Sequence, residues 1–107
     1  MKVVINFLGV DYEFRFTMRS MLKAMEISRI DFEKVQSNPN AIEALQFFLI
    51  YIEESAPKSI KDKEALIDEL QASEPKLFKL LVSKSIESIT NNLGFFSVEN
   101  EALQTLQ

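Results

Sequence analysis

Few residues in this chain could carry out chemistry. There is no cysteine and no histidine among its 107 residues. Nucleophilic catalysis of the common kind pairs Ser, Cys or Thr with a base such as His, so only Ser–Lys or Lys-based schemes remain. Ser83 and Lys84 are adjacent, but successive residues of a helix do not face each other, and Ser83 and Ser85 read as small packing positions. The carboxylates are the other candidates: Glu53 and Glu54, Glu64, Asp68 and Glu69, then Glu99 and Glu101. Asp68 lies four residues after Glu64 with lysines upstream, the usual dress of a solvated helix face. No calcium-loop pattern of alternating acids closed by Gly is present. Without Cys or His, soft or imidazole metal sites are excluded. Two glycines in the whole chain cannot build a phosphate-cradling loop. The expectation is a non-enzyme with no catalytic residue, no cofactor and no metal.

Charge narrows the partners. Twelve basic residues against sixteen acidic ones give a net charge of −4. The densest basic stretch, residues 58–63, is answered at once by Asp62 and Glu64. A nucleic-acid binder concentrates its cations into a patch that displaces counterions from phosphates, so nucleic acid is not an expected partner. The longest apolar stretch, residues 44–52, contains Gln46 and is far too short to span a membrane. With no signal-like N-terminus and no disulfide, a cytoplasmic protein is expected.

What remains is apolar, and its periodicity sets the elements. Residues 1–17 alternate: Val3, Ile5 and Phe7, then Tyr12, Phe14 and Phe16, with Leu8-Gly9-Val10-Asp11 between the runs. That predicts a β-hairpin with an aromatic inner face and Gly9 at a positive φ. Two strands alone are marginal in water, so this face must pack on helices or on another chain. The period then changes. Met18, Met21, Leu22 and Met25 mark an amphipathic helix capped by Thr17 and ending near residues 28–30. Asp31 caps a short turn or helix over residues 32–36.

Asn38 and Pro39 open a helix over residues 40–54 whose second half is apolar nearly all round. Ser59 with Asp62 resembles a capping box and opens a short helix to about Gln71, with Ile60, Leu66, Ile67 and Leu70 inward. Ser73, Glu74 and Pro75 open a last long helix with Phe78, Leu81, Val82, Ser85, Ile86, Ile89 and Leu93 buried. It is expected to end at Gly94 in a left-handed C-cap. The fold class is therefore mainly α (α+β): an N-terminal β-hairpin (1–17) followed by a bundle of about four to five helices (18–94). Residues 1–96 form one globular domain and residues 97–107 a flexible C-terminal tail.

The Met stripe reads chiefly as core packed on the hairpin, although such stripes also adapt to irregular partners. The central helix holds more apolar surface than one face needs, and its surplus side reads equally as buried or as a partner contact. The candidate contacts are Phe47, Ile50 and Tyr51, together with Phe95 and Phe96.

The hairpin formed by residues 4–16 running straight into an amphipathic helix, the Ile30-Asp31-Phe32 segment, and Asn38-Pro39-Asn40 before an apolar helix form a pattern. It resembles the small tail assembly chaperones of long-tailed bacteriophages and prophages, and the likeness covers residues 3–94. The resemblance implies a non-catalytic protein of the bacterial host cytoplasm. Such a protein binds the tape measure protein and keeps it soluble while tail tube protein polymerises. A longer frameshifted product would recruit the tube subunit. The physics is compatible, since an apolar groove on a small acidic protein suits helix-in-groove recognition. The competing readings are a self-associating structural or regulatory module, forming a homo-oligomer by pairing hairpin edges, and a carboxylate-dependent enzyme.

Overall fold

The computed structural model describes residues 1–30, 33, 37 and 42–105, with residues 93–105 as backbone only. An antiparallel two-stranded hairpin is followed, among the described residues, by four helices. The strands are β1 (Lys2–Phe7) and β2 (Val10–Arg15), and the helices are α1 (Met18–Ser28), α2 (Ile42–Ser55), α3 (Lys63–Ser73) and α4 (Pro75–Thr105).

Period-two alternation fixes the hairpin register. Val3 lies opposite Phe14 and Ile5 opposite Tyr12, so one face is apolar and packs inward. The other face pairs Lys2 with Arg15, Val4 with Glu13 and Asn6 with Asp11, all in solvent except the half-buried Glu13. Polar contacts tie that face together: Lys2 Nζ to Glu13 at 2.7 Å, Arg15 to Glu13 at 3.1 Å, and the Asn6 amide donating to Asp11 at 2.8 Å. The turn has only two residues, and both adopt positive φ, Leu8 at 53° and Gly9 at 78°. Consecutive left-handed residues match the right-handed twist of the strands. Gly9 takes this conformation freely, whereas Leu8 does so against its Cβ.

Thr17 caps α1 as expected, its hydroxyl accepting from the Ser20 N–H at 3.1 Å. The helix stops at Ser28 because Arg29 turns left-handed at φ 59° while its N–H still bonds Met25 O. The expected short helix at residues 32–36 and the Asn38–Pro39 start signal lie outside the described residues, apart from Glu33, which is helical. Asp62, rather than Ser59, caps α3; its carboxylate accepts from the Ala65 N–H at 2.9 Å. Asp62 sits ahead of the first helical turn and leaves Ser59 in the preceding turn, closed by the Ile60 N–H on Pro57 O. Pro75 occupies the first position of α4, where its missing N–H costs nothing. The helix runs through Gly94 to Thr105 rather than stopping there. A glycine weakens a helix interior without ending it unless a left-handed turn follows.

α2 is the hub of the fold. It packs on α1, α3, α4 and β2, while α4 also reaches β1. Its inward residues Ala44, Phe47, Phe48, Tyr51, Ile52 and Ser55 recur at helical spacing and are all buried. The Tyr51 ring meets Phe16 edge-on at 5.3 Å and Phe47 at 5.9 Å, joining the hairpin core to the helical core. Such pairs add about 0.5–1.5 kcal/mol each beyond area burial.

Candidate interaction surface

Two of the three expected contacts on α2 are closed to a partner. Phe47 and Tyr51 are fully buried within the chain's own core, and Ile50 is half-buried against it. No partner can reach Phe47 or Tyr51 while the fold is intact. The reason is that the hairpin presents a row of aromatic rings that must be covered, and the near side of α2 covers it. Phe95 and Phe96 lie on the backbone of α4, and their side chains are outside the described part.

Tyr51 carries its polar end into the core with partners. Its hydroxyl lies 2.9 Å from Ser88 Oγ and donates at 3.4 Å to Thr17 O, while Ser88 can donate to Phe16 O at 3.5 Å. Burial pushes the Tyr51 phenol above its ordinary value, against a smaller opposing effect of the Ser88 bond. Ser55 and Ser85 are also buried, and each returns its hydroxyl to a carbonyl of its own helix at 2.6 Å. These small residues satisfy their polar atoms locally and so fit inside the core.

The apolar surface that α2 does offer is a neighbouring stripe. At about 100° per residue, Ile42, Leu45 and Leu49 share one flank, which borders the buried side at Ile52 and Phe48 and lies away from Ile50. Ile42 is 75% exposed and Leu45 50%, whereas Leu49 is half-buried. Leu45, Phe48 and Leu49 line a groove of about 140 Å³ whose other walls are Gln71 of α3 and Phe78 and Val82 of α4. One turn beyond Val82, Ile86 is 44% exposed rather than buried as expected. The Met stripe of α1 serves the core at Met21, with Met18 and Met25 half-buried, while Leu22 and Ile27 are exposed. The sequence signal for the groove was present in the all-round apolarity of α2; periodicity alone did not say which side would be left over.

The acidic residues form no comparable site. Glu53 lies close enough to Glu64, Asp68 and Glu54 for their charges to raise its carboxyl, although burial is the larger cause. Among the described residues, no three Asp or Glu side chains are placed to hold a metal ion, and no helix is long and apolar enough to cross a membrane.

No protein family, curated protein or solved structure matches this chain. The geometry of its surfaces therefore carries the functional reading.

Proposed function

We propose that this protein is an assembly chaperone that receives an amphipathic helix of a client along the α2–α4 groove. The observation that carries the reading is the groove itself. Leu45, Leu49, Phe78 and Val82 are drawn together by the fold, with Ile42 and Ile86 exposed, on a chain of net charge −4. A client helix presenting apolar residues at i, i+3, i+4 and i+7 would cover this surface, and the acidic balance would keep the complex soluble. Burying Ile42 and Leu45 more fully contributes on the order of 1 kcal/mol each. That gives weak single contacts whose strength comes from many copies along one long client. The resemblance to phage tail assembly chaperones names such a client, the tape measure protein, in the cytoplasm of a bacterial host. A longer frameshifted form would carry the contact to tail tube protein.

The test is co-expression with a tape measure protein from the same genome. Wild-type chain should bring it into the soluble fraction, and the I42E/L45E double variant should fail while remaining folded. Equal insolubility of the client with and without the wild-type chain would refute the proposal. A second reading, self-association as a structural module, is favoured by one observation: among the described residues the sheet has two strands, and neither outer edge has a strand partner. A fixed dimer in sedimentation, abolished by Val4→Pro on the β1 edge and indifferent to I42E/L45E, would select it.

A further inference from the structure

The outer edge of β2 lies beside a second groove, lined by charged and small residues, that the chaperone reading does not use. We infer that this groove binds an extended acidic peptide segment by adding it as a third strand to the hairpin. The inference stands on separate residues from the α2–α4 groove and does not depend on it.

Strand polarity comes from the register. Val3, Ile5 and Phe7 face Phe14, Tyr12 and Val10, and the ladder continues as Phe16 N–H to Met1 O at 2.8 Å with the Met1 amino group returning to Phe16 O at 3.1 Å. Directly opposed residues that exchange both bonds alternate with residues whose backbone groups point away. The N–H and C=O of Asp11, Glu13 and Arg15 are therefore aimed outward from β2. Beside this edge lies a groove of about 490 Å³. Glu13, Arg15 and Thr17 line the hairpin side, Arg19 and Ser20 the first turn of α1, and the segment from Glu54 to Lys58 the far wall.

The charges of the lining select the occupant. Glu13 is satisfied twice, by Lys2 and by Arg15, and Asp11 is held by the Asn6 amide. Among the described residues, Arg19 and Lys58 make no ion pair, although both are exposed at the groove. The lining holds Arg15, Arg19 and Lys58 against Glu13 and Glu54. With Arg15 engaged by Glu13, the two cations Arg19 and Lys58 stand against Glu54, a margin of one positive charge on a chain that is acidic as a whole. An open strand edge supplies main-chain hydrogen bonds to any extended segment, and the cations prefer one whose outward side chains are Asp or Glu.

The probe is a seven-residue peptide of alternating Val and Glu, added to the full chain labelled with ¹⁵N. The expected result is amide shifts and slowed exchange at Asp11, Glu13 and Arg15, with Phe78 and Val82 unchanged. An R19S/K58S variant should bind about fivefold or more weakly, as two exposed pairs are lost. A Val–Lys peptide should not bind. A Val–Glu peptide N-methylated at alternate positions should lose the Glu13 shift even with the wild-type chain, which keeps the test independent of any variant's folding. Several outcomes would overturn the inference: no shift at the β2 amides at millimolar peptide, equal binding of the Lys peptide, or the same shifts from inorganic phosphate alone. Dimerisation of the chain through β2 would overturn it as well.

Discussion

Tyr51 gives the most demanding test of how this fold is held together. Its ring is sealed between Phe16 and Phe47, and its hydroxyl bridges Ser88 and Thr17 O. Tyr51→Phe keeps the ring contacts and removes one oxygen. A neutral hydrogen bond contributes about 1 kcal/mol net, and the Ser88 hydroxyl is left with only the Phe16 carbonyl at 3.5 Å. That long contact compensates poorly for the lost 2.9 Å bond, which adds about 1 kcal/mol more, for a total loss of about 2 kcal/mol. With a urea m value of about 1–2 kcal/mol/M, the unfolding midpoint should fall by about 1–2 M. Ser88→Ala should cost about 1 kcal/mol, because Tyr51 keeps Thr17 O, and the double variant should cost clearly less than the sum.

The pH dependence of the same residue is an independent check. The folded phenol titrates above the ordinary value of 10.0 because burial disfavours its anion. Below that value both folded and unfolded chains hold the proton, and the contribution is constant. As the pH rises past it, the unfolded chain releases the proton first, so stability falls by up to about 1.4 kcal/mol per pH unit until the folded group also titrates. The Phe variant should lack this limb. A Tyr51→Phe midpoint indistinguishable from wild type, or strict additivity with Ser88→Ala, would show that the bridge does not hold these segments.

Three further outcomes are expected. Leu8→Asn should raise stability by about 1 kcal/mol in thermal unfolding, since Asn tolerates the left-handed turn and Leu8 is 77% exposed with no packing to lose. Glu53→Gln should stabilise at neutral pH by a few tenths of a kcal/mol after solvent screening. Its carboxyl is raised by burial and then by Glu64, Asp68 and Glu54, so the ionised form is the costly one; the gain should vanish in acid once wild-type Glu53 is protonated in both states. Phe47→Ala should cost about 3–5 kcal/mol, whereas Leu45→Ala at the exposed groove should cost under about 1 kcal/mol, and urea titrations of the two would separate core from surface on one helix.

Much of the architecture was legible because its signals are local. Alternation placed Val3, Ile5, Phe7, Phe14 and Phe16 inward, Thr17 capped α1, and Pro75 opened α4. The failures have physical causes. Gly94 is the residue type that ends helices, yet it sits inside α4 and costs that helix some stability without breaking it. Ser59 and Asp62 were both acceptable caps, and the choice depended on where the bend after Ala56 released the chain. The site on α2 was harder. A helix apolar on every side does not declare which flank a hairpin will cover; Phe47 and Tyr51 lie under it, and Ile42 and Leu45 are exposed. Spacing likewise predicts Leu22 and Ile86 inward, and the exposed positions they occupy depend on neighbours far away in sequence.

The Tyr51 bridge also bears on the order in which the protein assembles. The hairpin closes through a two-residue turn, and α3 passes to α4 through Glu74 alone, so these units require little loop closure and can form within microseconds. The bridge instead joins residues 34, 37 and 72 positions apart in the chain. It is complete only when the strand–helix junction, α2 and α4 have met. Removing its hydroxyl should therefore speed unfolding and leave the folding rate nearly unchanged, the signature of an interaction made after the transition state.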